Sequence, residues 1–358
     1  MKSPLVSICV PTYNRVEFLK RSLTGILAQR HEPLEILIGD NASTDATADV
    51  CRQLAQTDPR VRHIRREKNI GIYPNHNLLI EESGGEYLCF LHDDDEYDPH
   101  LIEQAVLFLN EHPDVGLVAP NWRLIDEEGS FLGSRIHAVP PIQKGLDYIE
   151  QTLRSGRSTI GLSGTLIRRS ALGRSRFNET GPLGFADFVL WFEIAERARI
   201  GHIPQELYAY RLHTRSLSRR TIFSITQDYR QAVLGYCSDY LKRRPQDAPT
   251  VQRWRRFIDR YLFWILAYEI SLQCWRKGPS AQPITASRYR TIFERMDYRL
   301  SQEEFQQVLT QWRSIPCGPL EKTARNSIDF LLSIHWTWPI GQLAPHAPSF
   351  RRLLGLHG

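Results

Sequence analysis

The sequence predicts an α/β protein: a Rossmann-like, mostly parallel sheet flanked by helices, followed by a helical C-terminal region. Three observations carry this. Short apolar runs alternate with helix-period patterns through the first 120 residues, and repeated strand–helix–strand units imply parallel strands with crossover helices. A polar cluster follows most of these runs: Pro11-Thr12-Tyr13-Asn14, Asp40-Asn41, Arg65-Arg66 and His92-Asp93-Asp94-Asp95. Ligands of such sheets bind outside the carboxyl ends of the strands. Beyond residue 220 the pattern turns helical, with breaks at Pro245–Pro249, Gly278–Pro283 and Pro316–Pro319.

Each element has its own signal. Val6–Val10 is a compact apolar strand stopped by Pro11, and Phe18, Leu19, Leu23, Ile26 and Leu27 then fall on one helical face. Leu34–Ile38 is the second strand, and Ser43-Thr44-Asp45 offers N-cap chemistry to the helix carrying Val50, Cys51 and Leu54. Val61–Ile64 reads as a strand, Asn75–Glu82 as a helix and Tyr87–Leu91 as a strand running into the aspartates. Asp98-Pro99 caps the next helix, and Val115–Ala119 is a fifth strand. Farther on, Asp126–Gly129 reads as a hairpin turn, 159–168 contains a strand, a helix starts near Asp187, and Ile203–Tyr210 is a strand.

Composition narrows the class. At 358 residues and 42% hydrophobic, the chain can bury a core without metal or disulfide staples. Its six cysteines form no C-x-x-C pair, which argues against a zinc ribbon or a secreted scaffold and fits a reducing cytosol. The N-terminal apolar run is too short for a signal peptide, and no run approaches the ~20 residues of a spanning helix. A cytoplasmic location is expected. Net charge is +5, with the basic excess beyond Arg220. No nucleic-acid recognition motif accompanies it. Arg253, Arg255, Arg256 and Arg260 precede the apolar Tyr261–Leu266, a pattern suited either to peripheral contact with anionic lipid at the inner face of the membrane or to a core helix with a charged first turn.

The aspartate run carries the sharpest chemistry. Adjacent carboxylates at a strand end repel unless a cation or solvent compensates. Hard oxygen ligands suit Mg2+ or Mn2+. A hydrated loop capping a helix has the same composition, but not the same place on an edge already rich in polar groups.

Five stretches, VSICVPTYNR (6–15), ILIGDNASTDAT (36–47), NIGIYPNHN (69–77), GGEYLCFLHDDDEYDP (84–99) and the segment 186–218, resemble glycosyltransferase family 2 in order and spacing. The resemblance implies a GT-A catalytic domain over 1–220 and an inverting transfer from a nucleotide-sugar donor. It leaves 221–358 as a helical domain of unassigned role. It puts Pro11, Thr12 and Tyr13 around the nucleobase and ribose, with Asp40 accepting the base's imide N–H. Arg66, Asn69 and Gly71 fall on a loop closing over the base. The family's D-x-D motif stands here as His92-Asp93-Asp94. That implies Asp94 as principal metal ligand, Asp93 as a ribose or second metal contact and Asp95 in support. Asp187 matches the catalytic base, Arg211 faces the diphosphate, and His213 faces metal or phosphate. The implied cofactor is Mn2+ or Mg2+, the donor UDP-linked, and the acceptor a glycan or lipid-linked hydroxyl of the cell envelope. A non-catalytic sugar-nucleotide module would bind donor without transfer. A nucleotidyltransferase would want a glycine-rich phosphate loop, which Pro11–Asn14 is not.

Overall fold

The computed structural model describes residues 3–182, 184–214, 222–258 and 261. In chain order the elements are β1 (Val6–Thr12), α1 (Val16–Leu27), β2 (Leu34–Asp40), α2 (Thr47–Thr57), β3 (Val61–Arg65), α3 (Ile72–Glu82), β4 (Tyr87–Phe90), β5 (Glu96–Tyr97) and α4 (Leu101–Glu111). They continue as β6 (Val115–Ile125), β7 (Phe131–Arg135), β8 (Ile142–Gln143), α5 (Gly145–Ser155), β9 (Leu166–Arg168), α6 (Arg169–Leu172), α7 (Ala186–Ala195), β10 (Arg199–Arg211) and α8 (Ile222–Arg243).

One sheet runs in the order β3-β2-β1-β4-β9-β6-β10-β5, with β7 added to β6 and β8 to β10. β1 pairs in parallel with both β2 and β4, β2 with β3, and β6 with β10. The strand inside 159–168 is β9, which runs antiparallel to both β4 and β6. The sheet buries Val6, Ile8 and Val10 of β1, Ile36 and Ile38 of β2, and Cys89 of β4 against helices carrying Leu19, Leu23, Ile26, Ile102 and Leu109. Removing one such side chain costs about 2–5 kcal/mol.

Several boundaries depart from the sequence pattern. α3 begins at Ile72 rather than Asn75, because Pro74 sits in the first turn, where a missing N–H is no loss. α2 starts at Thr47, and Asp45 serves two helix starts: its carboxylate accepts the N–H of Thr47 at 3.0 Å and of Val16 at 3.1 Å. α4 starts at Leu101, with Asp98 accepting the His100 N–H at 2.8 Å. β6 and β10 are longer than their apolar runs, because the β7 hairpin extends the pairing of β6, and the added residues of β10 pair with β6 and β8.

The chain divides into two compact units, Met1–Thr221 with Asp228–Ile258, and Ile222–Gln227 with Asp259–Gly358. In the first, α8 from Asp228 onward and the helical stretch 248–258 pack on the sheet-bearing body. Tyr236 meets Phe192 at 5.0 Å, and Trp254, fully buried, lies against Tyr236 and Tyr240. Arg253 pairs with Glu150. The apolar segment Tyr261–Leu266 lies outside the described residues apart from Tyr261. Among the described residues no helix is long and apolar enough to cross a membrane.

Candidate active site

β1, β2 and β4 are parallel and end at one edge, which brings the predicted clusters of 11–15, 40–43 and 92–95 together. Side chains staple the loops. Asn14 Oδ1 accepts the Thr44 N–H at 2.7 Å, and Ser43 Oγ accepts the Asn14 N–H at 3.0 Å. Asn41 donates to Asn69 Oδ1 at 3.1 Å and to the Gly71 carbonyl at 3.0 Å, while its Oδ1 accepts the Ile70 N–H at 3.0 Å. The 69–71 loop is thus fixed to the tip of β2. Gly71 takes φ +94°, a conformation that strains any side-chain-bearing residue.

Asp40 is fully buried at the end of β2. It accepts the Ser43 N–H at 2.8 Å, pairs with Arg65 at 2.5 Å and has His63 at 3.7 Å. Burial opposes its ionisation, but the nearby His63 ring and the hydrogen bonds from Ser43 and Arg65 outweigh it and hold the carboxyl well below the usual range. Asp40 is therefore held ionised at the tip of β2, with both its oxygens engaged within the protein. Arg66 donates to Asn75 Oδ1 at 3.2 Å, and its Nη2 is buried without a hydrogen-bond partner. Tyr13 is 42% exposed at the same edge, and Thr12 beside it is buried.

The acidic turn after β4 is held by residues on three other elements. Arg15, ahead of α1, donates to Asp93 Oδ1 at 3.2 Å and to Asp94 Oδ2 at 2.6 Å. His213 Nε2 lies 3.0 Å from Asp94 Oδ2, with its ring tilted against Phe18 at 4.6 Å. Asp95 accepts the Arg211 backbone N–H at 3.0 Å. Burial, then the neighbouring Asp94 charge, pushes the Asp93 carboxyl up to about 6, and the same two causes raise Asp95. Burial also opposes ionisation of Asp94, but the His213 hydrogen bond and the Arg15 charge hold it below the usual range. Asp93 Oδ2 and Asp95 Oδ2 are buried without hydrogen-bond partners. The turn is short of positive charge and suits a divalent cation.

Not every sequence expectation survives the geometry. Arg211 is 1% exposed. Its guanidinium donates to the carbonyls of Asp94 (2.9 Å), Asp126 (3.1 Å) and Glu127 (3.1 Å), and to the Glu96 carboxylate (2.5 Å). With every guanidinium nitrogen engaged in the fold, it positions the acidic turn instead of facing a diphosphate. Arg15 is the cation at the acidic turn; it lay unremarked inside VPTYNR because only the fold carries it from β1 to the β4 tip. His213 contacts Asp94 as a partner of its carboxylate. A grouping of potential ligand atoms within 4.8 Å among the described residues comprises His92, Asp94 and Asp95. Asp93 falls outside it.

Asp187 opens α7, where the helix dipole favours a carboxylate. Ile194, near the other end of α7, lies over Gly116 at the foot of β6. Burial pushes the Asp187 carboxyl up to about 6. The turn before it is held from α8: Asp228 accepts the Gly184 N–H at 3.1 Å. Phe185, at φ +67°, packs edge-on to Tyr229 at 5.2 Å.

A model of glycosyl transferase family 2 matches residues 7–174. An uncharacterized Mycobacterium tuberculosis protein is 29% identical over 59% of this chain and 60% of its own length. The chain thus spans about 60% of that relative's length. The Bacillus subtilis glycosyltransferase TuaG, named for teichuronic acid biosynthesis, is 26% identical over 60% of this chain and 82% of its own. Among solved structures, S. aureus TarS 1-349 with UDP-GlcNAc superposes with a TM-score of 0.58 at 14% identity, covering 92% of each chain. The Pyrobaculum calidifontis mannosyltransferase PcManGT, with GDP-Man and Mn2+, gives 0.54 at 16% identity, covering 93% of this chain and 89% of its own. These two show the fold. Residues 7–174, just under half of the chain, thus match glycosyl transferase family 2, and the chain resembles that family there on a GT-A-like fold.

Proposed function

We propose that the protein transfers a sugar, with inversion, from a nucleoside diphosphate donor of the UDP type to a hydroxyl of a glycan or lipid-linked acceptor. The observation that carries this reading is the acidic turn at the β4 tip, where Asp94 is held ionised by Arg15 and His213 beside buried carboxyl oxygens that lack partners. Asp40, kept unprotonated, is the imide acceptor for the base, with Tyr13 as the exposed aromatic surface beside it. A uracil or thymine edge fits such an acceptor. The structures with UDP-GlcNAc and GDP-Man are of proteins sharing this fold, so the UDP preference stands on Asp40.

Asp94 and Asp95 would hold a divalent cation, Mn2+ or Mg2+, which stabilises negative charge on the departing diphosphate when bound. Arg15 adds a guanidinium at the same place and takes the role expected of Arg211. Asp187 accepts the proton of the attacking hydroxyl, and a carboxyl raised to about 6 is suited to that task near neutral pH. One displacement with a separate base gives inversion. The enclosing segments and the raised carboxyl of Asp187 support this assignment more than capping of α7 alone, which gains nothing from a raised pKa.

The test is a donor panel with Mn2+ or Mg2+, scored by thermal shift and nucleotide release. Asp94→Asn is expected to abolish metal-dependent donor binding. Asp187→Asn is expected to retain binding and lose transfer. Donor binding by the wild type without release or transfer to any acceptor would leave a binding module instead.

A further inference from the structure

We propose that His92 is a nitrogen ligand of the metal, so that a His92–Asp94–Asp95 donor set favours Mn2+ over Mg2+; this rests on the cation-assisted reading of the site above. The run His92–Asp95 offers an all-carboxylate set on paper. The fold alters it by gathering a ring nitrogen of His92 with carboxylate oxygens of Asp94 and Asp95 within 4.8 Å of one another, a group that leaves out Asp93.

Two members of that group carry buried atoms with no hydrogen-bond partner, Nε2 of His92 and Oδ2 of the wholly buried Asp95. A core histidine ordinarily has a ring nitrogen bonded. The adjacent His76 does: its Nδ1 lies 2.8 Å from the Ile72 carbonyl. His92 is held by other means. Its backbone N–H donates to Ser163 Oγ at 3.4 Å and its carbonyl accepts from the Tyr97 hydroxyl at 2.9 Å. Its ring stands edge-on to His76 at 5.7 Å. The main chain and ring packing therefore hold the side chain, and its buried Nε2 is left without a hydrogen-bond partner.

The donor set decides the ion. Mg2+ prefers oxygen and keeps much of its water, whereas imidazole suits the later divalent ions. Replacing one carboxylate by imidazole also removes a negative charge, which weakens binding of the hard ion most.

The experiment uses the full chain and Mn2+ alone, then Mn2+ with UDP. Spin-echo EPR is expected to detect nitrogen hyperfine coupling from a bound imidazole, kept in His213→Gln and lost in His92→Asp. Competition binding is expected to show the Mn2+/Mg2+ affinity ratio falling roughly tenfold in His92→Asp. Labelling histidine with heavy nitrogen in the wild type supplies an arm that needs no variant, and His92→Asn provides a second substitution should the aspartate fail to fold. Mn2+ bound without nitrogen coupling, or coupling lost in His213→Gln and kept in His92→Asp, overturns the proposal while the carboxylate site stands. No Mn2+ binding by the wild type, with or without UDP, overturns both this proposal and the cation-assisted reading.

Discussion

Arg15 and Asp94 form a 2.6 Å ion pair that spans the tips of β1 and β4. The same guanidinium nitrogen reaches Asp93 at 3.2 Å, so one side chain offsets two adjacent carboxylates that would otherwise repel. Arg15→Ala is expected to lower thermal stability in metal-free buffer. The loss should fall short of the ~3–5 kcal/mol of a wholly buried broken pair, because the Arg15 side chain is 25% exposed. Mn2+ should then stabilise the variant more than the wild type, since a metal and Arg15 would compete for the Asp94 carboxylate. Unfolding curves with and without Mn2+ check this. A variant as stable as the wild type without metal contradicts it.

The Asp187 carboxyl, pushed up to about 6 by burial, sets a pH dependence. A base must be ionised, so transfer should rise as pH passes through about 6 and level above it. The stability sign is opposite. A folded-state pKa above the unfolded value favours the protonated fold, and that contribution is lost as pH rises toward and past about 6. Asp187→Asn is therefore expected to be inactive, yet more stable than the wild type above pH 6. Activity profiles and melting curves at matched pH decide it; an acidic limb unchanged in a partly active Asp187 variant would sink the assignment.

Arg211 is buried with its guanidinium donating to Asp94, Asp126, Glu127 and Glu96. Arg211→Ala should destabilise the fold by about 3–5 kcal/mol, with Arg211→Lys rescuing little because an ammonium cannot reproduce the planar fork. A donor contact would instead weaken donor binding at unchanged melting temperature. Denaturant unfolding and donor titration on the same variants separate the two.

Asp228 accepts the Gly184 N–H three residues before Asp187. Asp228→Ala should cost one hydrogen bond, about 1 kcal/mol, and loosen the turn that aims the base. The expected result is roughly tenfold slower transfer with the donor-induced thermal shift unchanged. Equal loss of donor binding and transfer would show a wider structural effect.

Much of this was legible from the chain alone. Apolar runs followed by Pro11, Asp40 and His92 marked strands and their carboxyl ends, because a buried parallel strand leaves a short, strongly biased signature. β9 was harder to orient. The stretch 159–168 reads as containing a strand, but the antiparallel insertion of β9 between β4 and β6 depends on partners far away in sequence. The start of α3 was misread because Pro74 punctuates a helix from inside its first turn as readily as from before it.

The sequence by itself determined the fold class, the site edge and the residue types available there, since strand periodicity and polar strand ends are local properties of the chain. Tertiary structure alone decided which charge meets which. It turned Arg211 inward, set Arg15 on Asp93 and Asp94, and placed a ring nitrogen of His92 beside Asp94 and Asp95. The reason is physical: Coulombic and hydrogen-bond energies depend on separations of a few ångströms between residues that can be some 80 to 120 positions apart, and no local pattern records those separations.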